Sequence, residues 1–375
     1  MDLLEIRKQL DGIDSQIERL FEDRMRLCAE VAKYKMATGK AVYDADRERE
    51  KIKSVTSMAE GEFNKQAVEE LFLQMMTLSR RYQYQALAGH TENSDLGFCR
   101  VNALDTKGKK IAFQGLEGAY GHAAAQRFFG KDADLHHVQQ FEDLMEEVQD
   151  GRADFGVLPI ENSSAGAVTD NYDLLIKYDN VIVAEIFLPI RHYLLGVRTA
   201  ELSDIKRVFA HPQALMQSSE FLNSHREWQQ LSMENNAVAA RKIRDDGDRT
   251  QAAVASETAG ELYGLKKLAG PINNSRDNTT RFLVLSRQRI YRADADKISL
   301  CFELPHKSGT LYNMLGNFIF NHVNMRMIES RPISGRNWEY RFFVDIEGNL
   351  EDGAVKNALY GIMREAQNVK ILGNY

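Results

Sequence analysis

Leu3, Ile6, Leu10, Ile13, Ile17, Leu20, Arg24, Leu27, Val31 and Tyr34 follow one another at intervals of three and four without a break. That spacing lays them on one stripe of an α-helix. The helix it predicts is about 33 residues long, roughly 50 Å at 1.5 Å per residue. MATGK (36–40) ends it. A second helix is expected near Asp44–Glu60 and a third over roughly Asn64–Leu87. Two shorter helices cannot cover so long a stripe. Residues 1–90 are therefore expected to be all-helical and to share their long helices in a homodimer or higher homo-oligomer.

The stripes carry polar groups that face inward. Arg24 sits on the apolar row of the first helix, and a buried cation needs a partner. Lys35 lies eleven residues on, only about 20° away around the axis. In the second helix the row of Ile52 and Val55 runs back to Glu48 and Asp44, with Arg47 beside them. In the third, Ser79 and Gln83 interrupt the face of Val68, Phe72, Met75 and Ala86. Together these describe a dry, cation-rich pocket suited to a small dicarboxylate.

After residue 90 the pattern changes twice. Residues 91–108 lack a period and read as a linker. KKIAFQG, FGVLPIE, VIVAEIFLP, HYLLGV, RVFAH, QAAVAS and RFLVL then alternate with helical segments. That pattern predicts parallel sheets covered by helices over 109–290, an α/β arrangement of two lobes around a cleft. The lobes are expected at 109–190 plus 271–290, and at 191–270. Residues 297–375 read as βαββαβ, the ferredoxin-like α+β order. A chain of 375 residues has room for these domains.

Composition excludes several classes. A net charge of −6 gives no reason to expect nucleic acid or an anionic membrane. Cys28, Cys99 and Cys301 are scattered, and the histidines show no ligand spacing, so neither a metal nor a cofactor is expected. The charged start MDLLEIRKQLDGID has no signal-peptide core, and no later stretch is long enough to span a bilayer. The expected location is the cytoplasm.

The first segment resembles the all-helical chorismate mutases. The resemblance rests on RMRLCAEVAKYK (24–35) and DADRERE (44–50), with Arg7, Ser79 and Gln83 in order around them. It implies rearrangement of chorismate to prephenate. Arg24 and Arg47 would hold carboxylates, and Lys35 and Gln83 would meet the ether oxygen. Glu48 would take the ring hydroxyl, with Asp44 and Ser79 binding substrate beside it. Arg7 lies about 100° from Arg24 around the axis, and the resemblance sends it to the partner's site.

In the middle segment GLEGAYG (115–121) lacks both phosphate-loop patterns. PIENSSAG (159–166) follows a buried strand and precedes a helix, the position that opens onto a ligand crevice. There Ser163, Ser164 and a helix N-terminus could hold a carboxylate. With HPQ (211–213), YGL (263–265) and NTTRF (278–282), these stretches resemble prephenate dehydratase. The resemblance assigns catalysis to Thr280, with Asn162, Ser163, Gln217 and Arg281 lining the cleft. Ala210 and Gly121 stand where relatives carry hydroxyl residues.

In the last segment SGTL (308–311) and IESRPISG (328–335) resemble the ACT-type regulatory domain of the same family. L-phenylalanine is then expected to bind at Gly309, Thr310 and Leu311 and at Glu329, Ser330, Arg331 and Pro332, between paired domains. The whole chain thus resembles a bifunctional chorismate mutase–prephenate dehydratase. Two other readings stay open: an arogenate dehydratase, and a non-catalytic metabolite-binding sensor.

Overall fold

The computed structural model describes residues 2–88 and 96–375. The heptad stripe becomes helix α1 (Leu3–Thr38), closed by Gly39 in the left-handed region at φ 68°, where glycine carries no Cβ penalty. Asp44 caps α2 (Ala45–Met58), its side chain accepting from the Arg47 amide. Helix α3 runs Glu62–Ala88. Much of the α1 stripe is open to water in the single chain, with Leu20 68% and Leu27 69% exposed. An exposed apolar row of that length marks an interaction face.

The region expected as a linker is only partly one. Residues 91–95 lie outside the described residues. Beyond them Cys99–Val101 form a short strand, β1. A first sheet follows. It is built from β2 (Lys110–Gln114), α4 (Tyr120–Phe129), β3 (Asp134–Val138), α5 (Phe141–Asp150) and β4 (Phe155–Asn162). The short β5 (Gly166–Ala167), α6 (Thr169–Lys177) and β6 (Val181–Pro189) complete that run.

The second sheet takes β7 (Tyr193–Gly196), β8 (Arg207–Ala210), α7 (Pro212–Gln217), α8 (Ser219–Asn223) and β9 (Gln229–Ser232). To these it adds α9 (Asn236–Asp246), β10 (Gln251–Ala255), α10 (Glu257–Tyr263) and β11 (Lys266–Ala269). The chain then returns as β12 (Thr279–Ser286), and β13 (Ile290–Arg292) pairs with β1.

Strand order is β3-β2-β4-β12-β6 in the first sheet and β11-β7-β10-β8-β9 in the second. The sheets are mixed, not parallel. The returning β12 runs antiparallel to both β4 and β6, and β7 runs antiparallel to β10 and β11. The chain re-enters the first sheet at the end where it left, with Thr279 opposite Pro189, and so runs back along β6. Apolar runs alone do not reveal that direction.

The last segment is β14 (Lys297–Glu303), α11 (Thr310–Phe320), β15 (Met325–Pro332), β16 (Tyr340–Glu347), α12 (Gly353–Glu365) and β17 (Gln367–Asn374). Its strands lie in the order β15-β16-β14-β17. Residues through Leu96 form one compact unit with Cys301–Val369, and Gly97–Leu300 form another with Lys370–Tyr375. The helical segment and most of the C-terminal segment, read from sequence as separate domains, therefore share a unit. Among the described residues no helix is long and apolar enough to cross a membrane.

Candidate active sites

In the helical segment, Arg24 leaves α1 to reach α3. Its Nη1 donates to Met75 O at 3.2 Å and to Ser79 Oγ. Cys28 Sγ lies 3.9 Å from the same nitrogen. Lys35 donates from Nζ to Val42 O at 2.6 Å. Burial pushes its ammonium below the usual lysine range, and the carboxylates of Asp44 and Glu48 offset part of that. Gln83 is buried, its Nε2 donating to Ser79 O at 3.2 Å and its Oε1 unpartnered. The amide nitrogen carries a second N–H beyond the one given to Ser79 O, so it keeps a donor for a ligand.

Arg47 departs from expectation. Its side chain is 73% exposed and lies 3.6 Å from Glu50, three residues on. It sits in the first turn of α2, and the side chain continues outward past the apolar row. Asp44 spends one oxygen on the helix cap. Arg7 is exposed on α1. Sequence reading missed Arg80. Its side chain is only 11% exposed and its Nη1 donates to both oxygens of Glu48 at 2.6 Å. The signal was a second row on α3, Met76, Arg80 and Tyr84, all buried, about 100° round from the first.

The second site is a cavity of 370 Å³ between the two sheets, walled by Asn162, Gln217 and Thr280 among others. Side chains alternate along a strand, so Thr280 and Phe282 of β12 face the cavity. Arg281 therefore points to the other side of the sheet. It is not a cleft residue: its Nε donates to Glu185 at 2.7 Å and its Nη2 to Tyr375 Oη at 2.8 Å, with 9% of the side chain exposed. Lys297 pairs with the same Glu185. Removing one member of a buried ion cluster costs about 3 kcal/mol. Arg281→Ala is accordingly expected to lower the denaturation midpoint while leaving the KM for prephenate near its parental value. A raised KM with an unchanged midpoint would return Arg281 to the cleft.

Ser163 also lies off the cavity wall. Its hydroxyl donates to Asp277 O and accepts from the Thr279 amide, both at 3.0 Å, and so pins the entry to β12. The Asn162 amide is oriented by its surroundings. Its Oδ1 accepts the backbone N–H of Ser164 at 3.0 Å and of Ala165 at 2.9 Å. Its Nδ2 must then donate to Thr280 Oγ1 at 2.9 Å and to Asn278 Oδ1 at 2.7 Å. With a lone pair of Thr280 so occupied, its O–H remains to donate elsewhere.

The network continues into the second lobe. Asn278 Nδ2 donates to Gln217 Oε1 at 3.0 Å, and His192 Nε2 lies 3.0 Å from the same oxygen. That oxygen can only accept, so His192 carries its proton on Nε2. Burial lowers its pKa and keeps the ring neutral. Tyr120 Oη lies 2.9 Å from its Nδ1. Ser256 donates to Gly118 O at 2.8 Å and Tyr263 to Glu117 O at 2.7 Å, clasping GLEGAYG to α10. A Cβ at Gly118, whose φ is +91°, would come within 3.1 Å of Ala259 Cα. Glycine is required there by both conformation and space. A Cβ at Gly121 would lie 3.2 Å from Gln114 O, and Ala210 is fully buried at the end of β8.

Among the described residues, no Asp, Glu, Lys or Arg contributes to this wall. The N-termini of α4, α7, α9 and α10 open onto it through Tyr120, His211, Asn236 and Ser256. Tyr120 and His211 lie inside GLEGAYG and HPQ, but His192, Asn235 and Ser256 were not singled out from sequence. The second lobe brings these three to the cavity, and no spacing announces them.

A second cavity, of 300 Å³, is lined by Gly309, Thr310 and Leu311 with Tyr312, Tyr340 and Phe342. Gly309 precedes α11 at φ 78°. Glu329, Ser330, Arg331 and Pro332 lie on β15, paired with Phe343, Phe342, Arg341 and Tyr340, and do not line this cavity within one chain.

A helical segment with an inward cation row, joined to an α/β segment with an uncharged, largely apolar crevice set with neutral hydrogen-bonding groups, suits a two-site enzyme. The chorismate mutase type II family model matches residues 6–84, and that of prephenate dehydratase matches residues 111–290. The bifunctional chorismate mutase/prephenate dehydratase of Escherichia coli (strain K12) is 33% identical, over 100% of this chain and 96% of its own. A prephenate dehydratase from Arthrobacter aurescens, solved with L-Phe, is 31% identical with a TM-score of 0.66, covering 71% of this chain and 89% of that one. A solved structure described as GqqA, a novel type of quorum quenching acylases, is 32% identical with a TM-score of 0.65, covering 71% and 97%. The chain belongs to the bifunctional chorismate mutase/prephenate dehydratase family. It carries both activities, an isomerase and a carbon–oxygen lyase of phenylalanine biosynthesis.

Proposed function

We propose that residues 1–90 hold the mutase site, residues 109–290 the dehydratase site and residues 297–375 a ferredoxin-like ACT-type sensor. The βαββαβ order of the last segment supports the sensor. The mutase reaction is a pericyclic shift within one molecule, so the protein supplies conformation and charge alone. Arg24 holds a carboxylate of chorismate. Lys35, whose ammonium is partly desolvated, and Gln83 meet the ether oxygen as it gains charge. Glu48 takes the ring hydroxyl.

In the dehydratase site the carrying observation is the Thr280 hydroxyl, fixed by Asn162 at 2.9 Å with its proton unspent. The electron pair of the departing carboxylate's C–C bond flows into the ring, and hydroxide leaves. Thr280 donates to that oxygen as the C–O bond lengthens. A carboxylate that must depart as CO₂ gains nothing from a cation held beside it. Helix N-termini and neutral donors hold the other one instead. Acyl hydrolysis, by contrast, calls for a nucleophile next to a base, and the partner of Thr280 is an amide.

The open stripe of α1 supports a dimer that shares its long helices, with Arg7 reaching the partner's site. L-phenylalanine in the cavity at Gly309–Leu311, with Glu329–Pro332 completing it across paired domains, acts as a feedback inhibitor. The scattered free cysteines suit the cytoplasm. The test is to supply chorismate and follow phenylpyruvate with and without phenylalanine, and to sediment the same sample. Phenylpyruvate forms, saturating phenylalanine slows it, and the protein sediments as a dimer or larger. A monomer, or a rate and thermal midpoint indifferent to phenylalanine, would break the corresponding part. Arogenate in place of prephenate decides the substrate of the lyase step.

A further inference from the structure

Helix α3 has two working faces. One carries Ser79 and Gln83 toward α1. The other carries Arg80, whose Nη1 meets both Glu48 oxygens at 2.6 Å while its Nε donates to Glu365 Oε1 at 3.2 Å. Glu365 is the last residue of α12, in the C-terminal segment. The side chains of Arg80 and Glu365 are 11% and 12% exposed. Arg80 Nη2 also donates to Thr77 Oγ1 at 3.1 Å, so the fork has little freedom to swing. Next to it Arg81 lies against α11, its Nη2 3.3 Å from Asn313 O.

We propose that Arg80 is a positioning residue of the mutase site, and that Glu365 anchors it, so that the C-terminal segment completes that site. This rests on reading Glu48 as the group that takes the ring hydroxyl. A carboxylate has about four acceptor positions. One guanidinium nitrogen astride its two oxygens fixes the carboxylate plane and leaves the remaining positions for substrate. Without Arg80 the Glu48 side chain rotates freely, and misplacement by about 1 Å can cost up to 10²-fold in rate. Without Glu365 the guanidinium keeps Glu48 but loses the contact that sets its own orientation.

The experiment uses the full chain and measures the mutase rate from chorismate and the dehydratase rate from prephenate. Arg80→Met is expected to lower mutase kcat roughly 10- to 100-fold, with Arg80→Lys recovering part of it and dehydratase unchanged. Glu365→Gln lowers mutase several-fold. In a Glu48→Gln background Arg80→Met has little further effect, because Arg80 acts through Glu48; a merely structural role would leave the two losses additive. If Glu48→Gln abolishes mutase activity while Arg80→Met and Glu365→Gln keep the parental rate, the inference fails and the reading of Glu48 stands. If Glu48→Gln is itself fully active, that reading is the one that fails. An effect of Arg80→Met without any of Glu365→Gln overturns the part given to the C-terminal segment.

Discussion

Lys35→Ala lowers the chorismate mutase rate by about 10²-fold or more and leaves the dehydratase rate from prephenate untouched. The expectation follows from what the reaction lacks. No proton moves and no covalent intermediate forms, so donors already in place where the ether oxygen gains charge provide the acceleration. Lys35 is placed to be such a donor. It is held by Val42 O at 2.6 Å, with its ammonium already partly stripped of water. The substitution removes a long side chain from a helix that ends four residues later at Gly39, so α1 persists. Far-ultraviolet circular dichroism and the dehydratase assay serve as controls on folding. A near-normal mutase rate would remove Lys35 from the chemistry.

Thr280→Val is expected to lower the dehydratase rate by roughly 10²- to 10³-fold while the mutase continues. Valine keeps the branched shape that fits β12, so the cavity wall survives and only the donor goes. Its methyl also strands one Nδ2–H of Asn162, which still has Asn278 Oδ1 at 2.7 Å. Mutase and dehydratase rates measured on one preparation separate this from unfolding. If prephenate is still dehydrated at the parental rate, another lining group supplies the hydrogen bond.

Much of this was legible in the sequence, for identifiable reasons. The three-four stripe encodes α1 because a helix repeats every 3.6 residues and nothing interrupts the row. The polar breaks at Arg24, Ser79 and Gln83 were readable for the same reason: a polar residue on an apolar face stands out. Thr280 and Asn162 were carried by motif resemblance. Arg281 was misplaced because a motif is a string, whereas a strand sends successive side chains to opposite faces. Arg80 escaped because its partners lie 32 and 285 residues away. His192 and Ser256 escaped because only the re-entry of β12 between β4 and β6 brings their lobe over Thr280. Long-range closure of that kind leaves no trace in local spacing.

The two-faced α3 has a consequence for modularity. Cutting the chain after residue 90 would bare the flank that Arg80, Arg81 and Tyr84 turn toward α11 and α12, including the edge-on Tyr84–Tyr360 ring pair at 5.7 Å. A stand-alone catalyst carved out of this protein would need new, water-friendly residues along that flank. The seam between its parts is therefore not interchangeable, and α3 answers to two sets of neighbours whenever it mutates.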